Sequence, residues 1–288
     1  MMKLYLAEHK PFGEHQFVVF DKASSADVAE QYPSTDIVSE YLKPQAHLYP
    51  GLLSLHDLPS GGWVSVMTEI EKQHQEESST RFNLLLESSL TAVSLRKELA
   101  NILIITDEDN SNYILRYYDP RVLFHLSWML TPGQLAILLK AHAIPTWTYM
   151  LDNKWYTLSF NENHDLCEGV PTGILWREVN KIGLINKILS KLSVPADLSK
   201  RIELSKDVYR LINVAEVLNL KDSKDITIFA MHGIMLNCDF WLSHKMRSIF
   251  NTAKDNKGYY RRVTSVWSDD DWADIKSGIE IKGQNKGV

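Results

Sequence analysis

Short, almost unbroken apolar runs mark the first half of the chain. QFVVFD at residues 16–21, GLLSL at 51–55 and NLLLES at 83–88 are of strand length, rich in Val, Leu and Phe, and bounded by polar or turn-forming residues. That combination predicts buried strands. Helical patterns separate them. SSADVAEQYP offers Ser24 or Ser25 as an N-cap and must end its helix before Pro33, because a residue preceding proline avoids the helical region. WVSVMTEIEKQHQEES follows the turn PSGGW with helical composition. SSLTAVSLRKELANIL spaces Leu90, Val93, Leu95 and Leu99 at roughly helical intervals, which predicts a helix packed on the sheet.

Two hairpins are expected. ILIIT and NYILRYYD flank the polar stretch DEDNSN, so an antiparallel pair is predicted whose second strand runs to Tyr118. The D-x-D-x-S order resembles the start of a calcium loop, but Asn112 stands where glycine is required and Tyr118 where the closing glutamate belongs. No metal site is therefore expected there. IPTWTYML and KWYTLSF alternate around Asp152-Asn153, the second hairpin. Between them, PRVLFHLSWML and TPGQLAILLKAH predict short helices, the second capped by Thr131 with Pro132 in the first helical position.

Beyond Phe160 the period changes from strand-like to helical. NENHDLCEGVPTG, residues 161–173, reads as a polar linker. Leu175, Val179, Ile182, Ile185, Leu189 and Leu192 then trace one helical face, and Leu204, Val208, Leu211, Ala215 and Leu218 trace another after Pro195. Residues 226–242 predict a third, buried helix and residues 244–254 a fourth. Ser268 and Asp271 have capping-box spacing before a last short helix, with a frayed tail from Lys276. The fold class is α+β or α/β: an N-terminal mixed β-sheet lobe flanked by helices at 1–160, the linker 161–173, and a C-terminal all-helical lobe at 174–288.

Charge narrows the partners. A formal net charge of −5 gives no global positive field for phosphate backbones, so no nucleic acid is expected. The most apolar stretch, 226–242, is shorter than a bilayer requires and is interrupted by His232, Asn237 and Asp239, so no membrane span is expected. The first fifteen residues lack the apolar core of a secretory signal. The two cysteines, Cys167 and Cys238, form neither a disulfide framework nor a CxxC pair. A cytoplasmic protein follows. GxSxG, HExxH, GxxxxGK[ST] and GxGxxG are all absent from the sequence, so no catalytic residue, cofactor or small-molecule substrate is expected. His164, Asp165 and Cys167 are neighbours in the linker, and His232 and Cys238 project to different faces of one helix. Neither group makes a catalytic or metal site.

The segment RYYDPRVL (116–123) stands out. Asp119 and Pro120 read as N-cap and first residue of a helix. Arg121 does not fit so simply, since the helix macrodipole disfavours a cation in the first turn, and it calls for a nearby anion. Arg116 brings a second guanidinium to the same corner, suited to bidentate carboxylate pairing. Arg116, Tyr118, Asp119, Pro120 and Arg121 thus form either a structural clamp or a protein-docking site.

The order of these features resembles the adaptor chaperones of bacterial type VI secretion, whose shared domain carries an RYYDPRV-like corner. The similar elements are Leu95-Arg96 before the DEDNSN hairpin, RYYDPRVL, TPGQLAILL, and IPTWTYML followed by KWYTL, with FDKASSADV as the early strand and its Asp-x-Ala step. Leu115 departs from the aromatic often found there. The resemblance spans residues 16–160 and fades in the helical lobe. It implies a non-catalytic cytoplasmic protein of a Gram-negative bacterium that binds a toxic effector and loads it on a VgrG-type spike protein, with the helical lobe suited to cargo. An immunity-type protein that neutralises a toxin, or an enzyme of unrecognised class, are the other readings. Trp147 and Trp155 are aromatics that an interface would use if exposed.

Overall fold

The structure, a computed structural model, describes residues 9–76, 81–107, 109–160 and 176–284. The linker with His164, Asp165 and Cys167 lies outside them. The chain divides into two compact units, Met1–Val179 and Asn180–Val288.

The first unit is built on a sheet of six strands in the order β2-β3-β1-β4-β7-β8. These are β1 (Phe17–Phe20), β2 (Thr35–Asp36), β3 (Gly51–Ser54), β4 (Leu84–Glu87), β7 (Thr146–Leu151) and β8 (Lys154–Ser159). The apolar runs of β1, β3 and β4 are buried along nearly their whole length, as strands covered on both faces must be. The pairings of this sheet are all antiparallel, so the sheet of the first lobe is antiparallel rather than mixed. The hairpin of β5 (Ile104–Thr106) and β6 (Asn112–Ile114) forms a separate pair. In its turn the Asp107 carboxylate accepts the backbone N–H groups of Asp109 (2.9 Å) and Ser111 (2.8 Å). The β7–β8 turn places Asp152 and Asn153 at φ 48° and 61°, the left-handed geometry of a two-residue hairpin.

Gly51 of β3 lies opposite Phe20 of β1, and a Cβ at this position would overlap the Phe20 ring. The buried ring fills the space that the glycine leaves. Gly51→Ala is expected to lower unfolding free energy by about 1–3 kcal/mol, read as a shift of the urea midpoint; a shift of zero would refute this packing.

Helices α1 (Ala26–Gln31), α2 (Gly62–Gln75) and α3 (Ala92–Ile102) cover the sheet's connections, followed by α4 (Pro120–Met129), α5 (Pro132–Leu138) and the single turn α6 (Trp176–Val179). Ser25 precedes α1 but donates its hydroxyl to the Arg81 carbonyl (3.3 Å) and makes no cap bond. In α3 the buried face is Leu95, Leu99 and Ile102, whereas Val93 is 64% exposed. At α5, Thr131 and Gln134 complete a capping box. Trp147 and Trp155 are not exposed and so offer no interface: Trp147 is completely buried on β7, between β4 and β8, and Trp155 packs in the core against Phe12.

The second unit is helical: α7 (Ile182–Leu189), α8 (Leu198–Val217), α9 (Ser223–Leu236), α10 (His244–Ala253), α11 (Tyr259–Thr264) and α12 (Asp269–Gln284). Helices α8 and α9 approach closely at Gly233, where a Cβ would overlap Leu211. The helix expected over 226–242 stops at Leu236, since Asn237 takes the left-handed conformation of a C-cap (φ 49°) and a separate 3-10 turn, Phe240–Leu242, follows. Ser268 and Asp271 form the expected box, with Asp271 N–H donating to Ser268 Oγ (3.3 Å) and Ser268 N–H to the Asp271 carboxylate (3.0 Å). The helix behind it is sixteen residues long, where a short one was expected, and runs past Lys276 to Gln284.

Candidate functional site: the RYYDPRVL corner

Three segments meet at one end of the sheet. Asp21 follows β1, residues 116–121 lead into α4, and Asp152 and Asn153 form the tip of the β7–β8 hairpin; together they line an open groove of about 380 Å³. Strand β6 ends at Ile114, short of the expected Tyr118, and a turn closed by Asp119 N–H donating to the Arg116 carbonyl (2.9 Å) brings the chain to the helix.

Asp119 is the N-cap. Its Oδ1 accepts the Arg121 backbone N–H at 3.0 Å, and Pro120 occupies the first helical position. The same carboxylate holds the Arg121 side chain, with Oδ1 accepting from Nε (3.0 Å) and Oδ2 from Nη2 (2.7 Å). The anion that Arg121 requires is thus its own cap, two residues upstream. That pairing pushes the Arg121 guanidinium above its ordinary pKa. Arg116 reaches across 95 positions of sequence to Asp21, Nη2 to Oδ2 at 3.2 Å, and lies over the Tyr118 ring at 5.4 Å. The carboxylates are largely covered, at 18% exposed for Asp21 and 14% for Asp119, while Arg116 and Arg121 are 54% and 60% exposed. The corner therefore turns two oriented cations outward over largely covered anions.

All five residues singled out by the motif line the groove, and Asp21 joins them from a distant segment. Two supports were not legible in the motif. Tyr118 is buried, which raises its hydroxyl pKa despite Arg116 beside it. Tyr117 is fully buried and meets Trp147 of β7 edge to face, with centroids 5.7 Å apart and planes at 89°. The two tyrosines anchor the turn from beneath.

Other titratable groups serve packing. His15 is 1% exposed, and its Nδ1–H donates to the Phe12 carbonyl (3.1 Å) while Nε2 accepts from Thr148 (2.8 Å). The chain continues through Thr157 (2.8 Å), which accepts the Lys10 backbone N–H (2.8 Å). Burial lowers the His15 pKa. In the helical unit His232 is half-buried, shares a 2.8 Å hydrogen bond with the Tyr260 hydroxyl, and packs on Trp272 at 4.4 Å. Burial pulls its pKa down to about 4. Cys238 lies beyond the end of α9, off the helix that carries His232. Among the described residues no group of three His, Cys, Asp or Glu side chains is placed to hold a metal. No helix among them is long and apolar enough to cross a membrane.

No curated protein and no solved structure matches the chain. The segment from the start of β1 into α5, residues 17–136, which carries the whole RYYDPRVL corner, matches the family model described as Domain of unknown function (DUF4123).

Proposed function

We propose that the protein is a non-catalytic adaptor chaperone that binds a type VI secretion effector in the bacterial cytoplasm and helps load it onto the spike protein. The corner carries this reading. It lies inside the segment that matches the family model, and its groove presents two half-exposed guanidiniums over largely covered carboxylates. Ion pairs with half-exposed guanidiniums, such as Arg121–Asp119 and Arg116–Asp21, contribute about 0–1 kcal/mol to folding, so stability gives little reason to build two of them into one groove. Oriented guanidiniums on a rigid turn suit an interface, where arginine is enriched.

The test is capture from the native bacterium with the tagged chain, beside the double variant Arg116→Ala/Arg121→Ala. The unmodified chain should bring down an effector and a spike component. The double variant should lose at least one of them while its melting temperature falls by less than about 3 °C, as expected for exposed pairs in a chain of this size. Capture of neither partner by the unmodified chain would falsify the adaptor reading. Capture of a toxin alone, with relief of its toxicity, would replace that reading by the immunity one. Full capture by the double variant would make the corner a fold element only.

A further inference from the structure

An apolar groove of about 600 Å³ opens in the helical unit, lined by Tyr209, Val214 and Leu218 of the α8 region and by Trp241 and Leu242 of the 3-10 turn. Val217, 80% exposed, and Leu242, 49% exposed, border it, although neither gains anything from water. Arg210 lies at the same place with its guanidinium 5.7 Å from the Trp241 ring centroid. Asp239 and Asp207 form long ion pairs with it at 3.6 and 3.8 Å, beyond hydrogen-bond distance. Among the described residues no acceptor takes an Arg210 N–H, in contrast to Arg121, whose fork is engaged by Asp119.

Trp, Tyr and Arg are the residues in which interface energy concentrates. Arg210 and Val214 of α8 with Leu218 at its C-cap, and Asn213 and Val217 beside them, recur at intervals of four, which forms the ridge that receives the side chains of a second helix. Charge adds direction. The unit Asn180–Val288 holds 18 basic and 13 acidic residues, net +5, whereas Met1–Val179 holds 13 and 23, net −10. A field of that sign draws acidic partners to the helical unit, and unbonded guanidinium donors favour a carboxylate once they arrive.

We propose that this groove docks an acidic amphipathic helix of a protein partner, its apolar side chains entering between α8 and Trp241 and a carboxylate meeting Arg210. The proposal deepens the adaptor reading and rests on it, assigning cargo to the helical unit.

The probe is a synthetic helical peptide of about five turns, with Leu along one face and Glu on the other, labelled and titrated against the full chain by fluorescence anisotropy. A copy with Lys in place of Glu is the control. The Glu peptide should bind, weaken as salt is raised, and exceed the Lys copy by at least about tenfold. Val217→Asp/Leu242→Asp should cost about tenfold or more and Arg210→Gln should flatten the salt dependence, with melting temperatures unchanged, because all three side chains are largely exposed. No binding, equal binding of both peptides, or binding indifferent to Val217→Asp/Leu242→Asp overturns the proposal. Native capture separates the two levels. If the unmodified chain and Val217→Asp/Leu242→Asp bring down the same effector equally, the groove assignment fails and the adaptor reading stands; if the unmodified chain brings down nothing, the adaptor reading fails.

Discussion

Trp147→Ala should lower the unfolding free energy by about 3–5 kcal/mol, as expected when a large buried aromatic is truncated in a packed core. The indole is fully buried on β7, a strand held between β4 and β8, and α4 packs on the same strand. Its Nε1 has no hydrogen-bond partner among the described residues, so its contribution is one of volume and ring contact rather than polarity. Trp147→Phe keeps an apolar ring at that place and should therefore cost distinctly less, about 1–2 kcal/mol. The consequence reaches the corner. Tyr117 rests edge to face on Trp147, and the turn from Arg116 to Asp119 rests on Tyr117. Loss of the indole should thus weaken partner capture through the corner as well as stability, and Trp147→Phe should restore most of both. Urea titration with parallel capture checks this. An alanine variant that unfolds within 1 kcal/mol of the unmodified protein would show that β7 does not organise the corner.

That dependence could not be read from the motif alone. Asp119 and Pro120 at the start of α4, Thr131 at α5, Asp152-Asn153 in the hairpin and Ser268 with Asp271 at α12 were all legible, because each reports a bond made within four residues of itself. The partner of Arg116 was not, since Asp21 is 95 positions away and is brought there only by the sheet order. Arg121 is the instructive intermediate case. Its need for a nearby anion followed from the helix dipole, and the cap residue Asp119 supplies both the backbone and the side-chain bonds.

Periodicity failed where apolar residues belong to different elements. Phe240, Trp241 and Leu242 extend the hydrophobic pattern of α9 without extending the helix, because Asn237 reverses the chain and the three residues form their own turn. The displaced turn is what places Trp241 beside Arg210 and opens the groove along α8. In α3 the same weakness appears as a phase error: Val93 has helical spacing with Leu90, yet the buried stripe begins at Leu95. Both cases show apolarity being a weaker guide than the cap that ends an element.

Asp225 is the second residue whose loss should be severe, and its role is tertiary. It lies in the first turn of α9, where its N–H donates to the N-cap Asp222 (3.0 Å), and an acidic residue there is unremarkable in sequence. In the fold it is 1% exposed, and its carboxylate accepts the backbone N–H of Gly258 (2.9 Å) and of Arg261 (3.2 Å) at the start of α11. One helix thus caps another. Gly258 sits at φ 75°, in the left-handed region, and has no side chain to cap with. Burial pushes the Asp225 carboxyl above its ordinary pKa, and the two N–H groups oppose that shift. Asp225→Ala removes both acceptors from buried donors and should cost about 3–5 kcal/mol. Asp225→Asn retains one carbonyl oxygen and should recover about half of the loss. Amide exchange locates the effect: in Asp225→Ala, protection should fall across Tyr259–Thr264 and the neighbouring α9, while Thr146–Leu151 of the other unit keeps its rate. Unchanged protection in α11 would mean that the helix start is held by something other than this carboxylate.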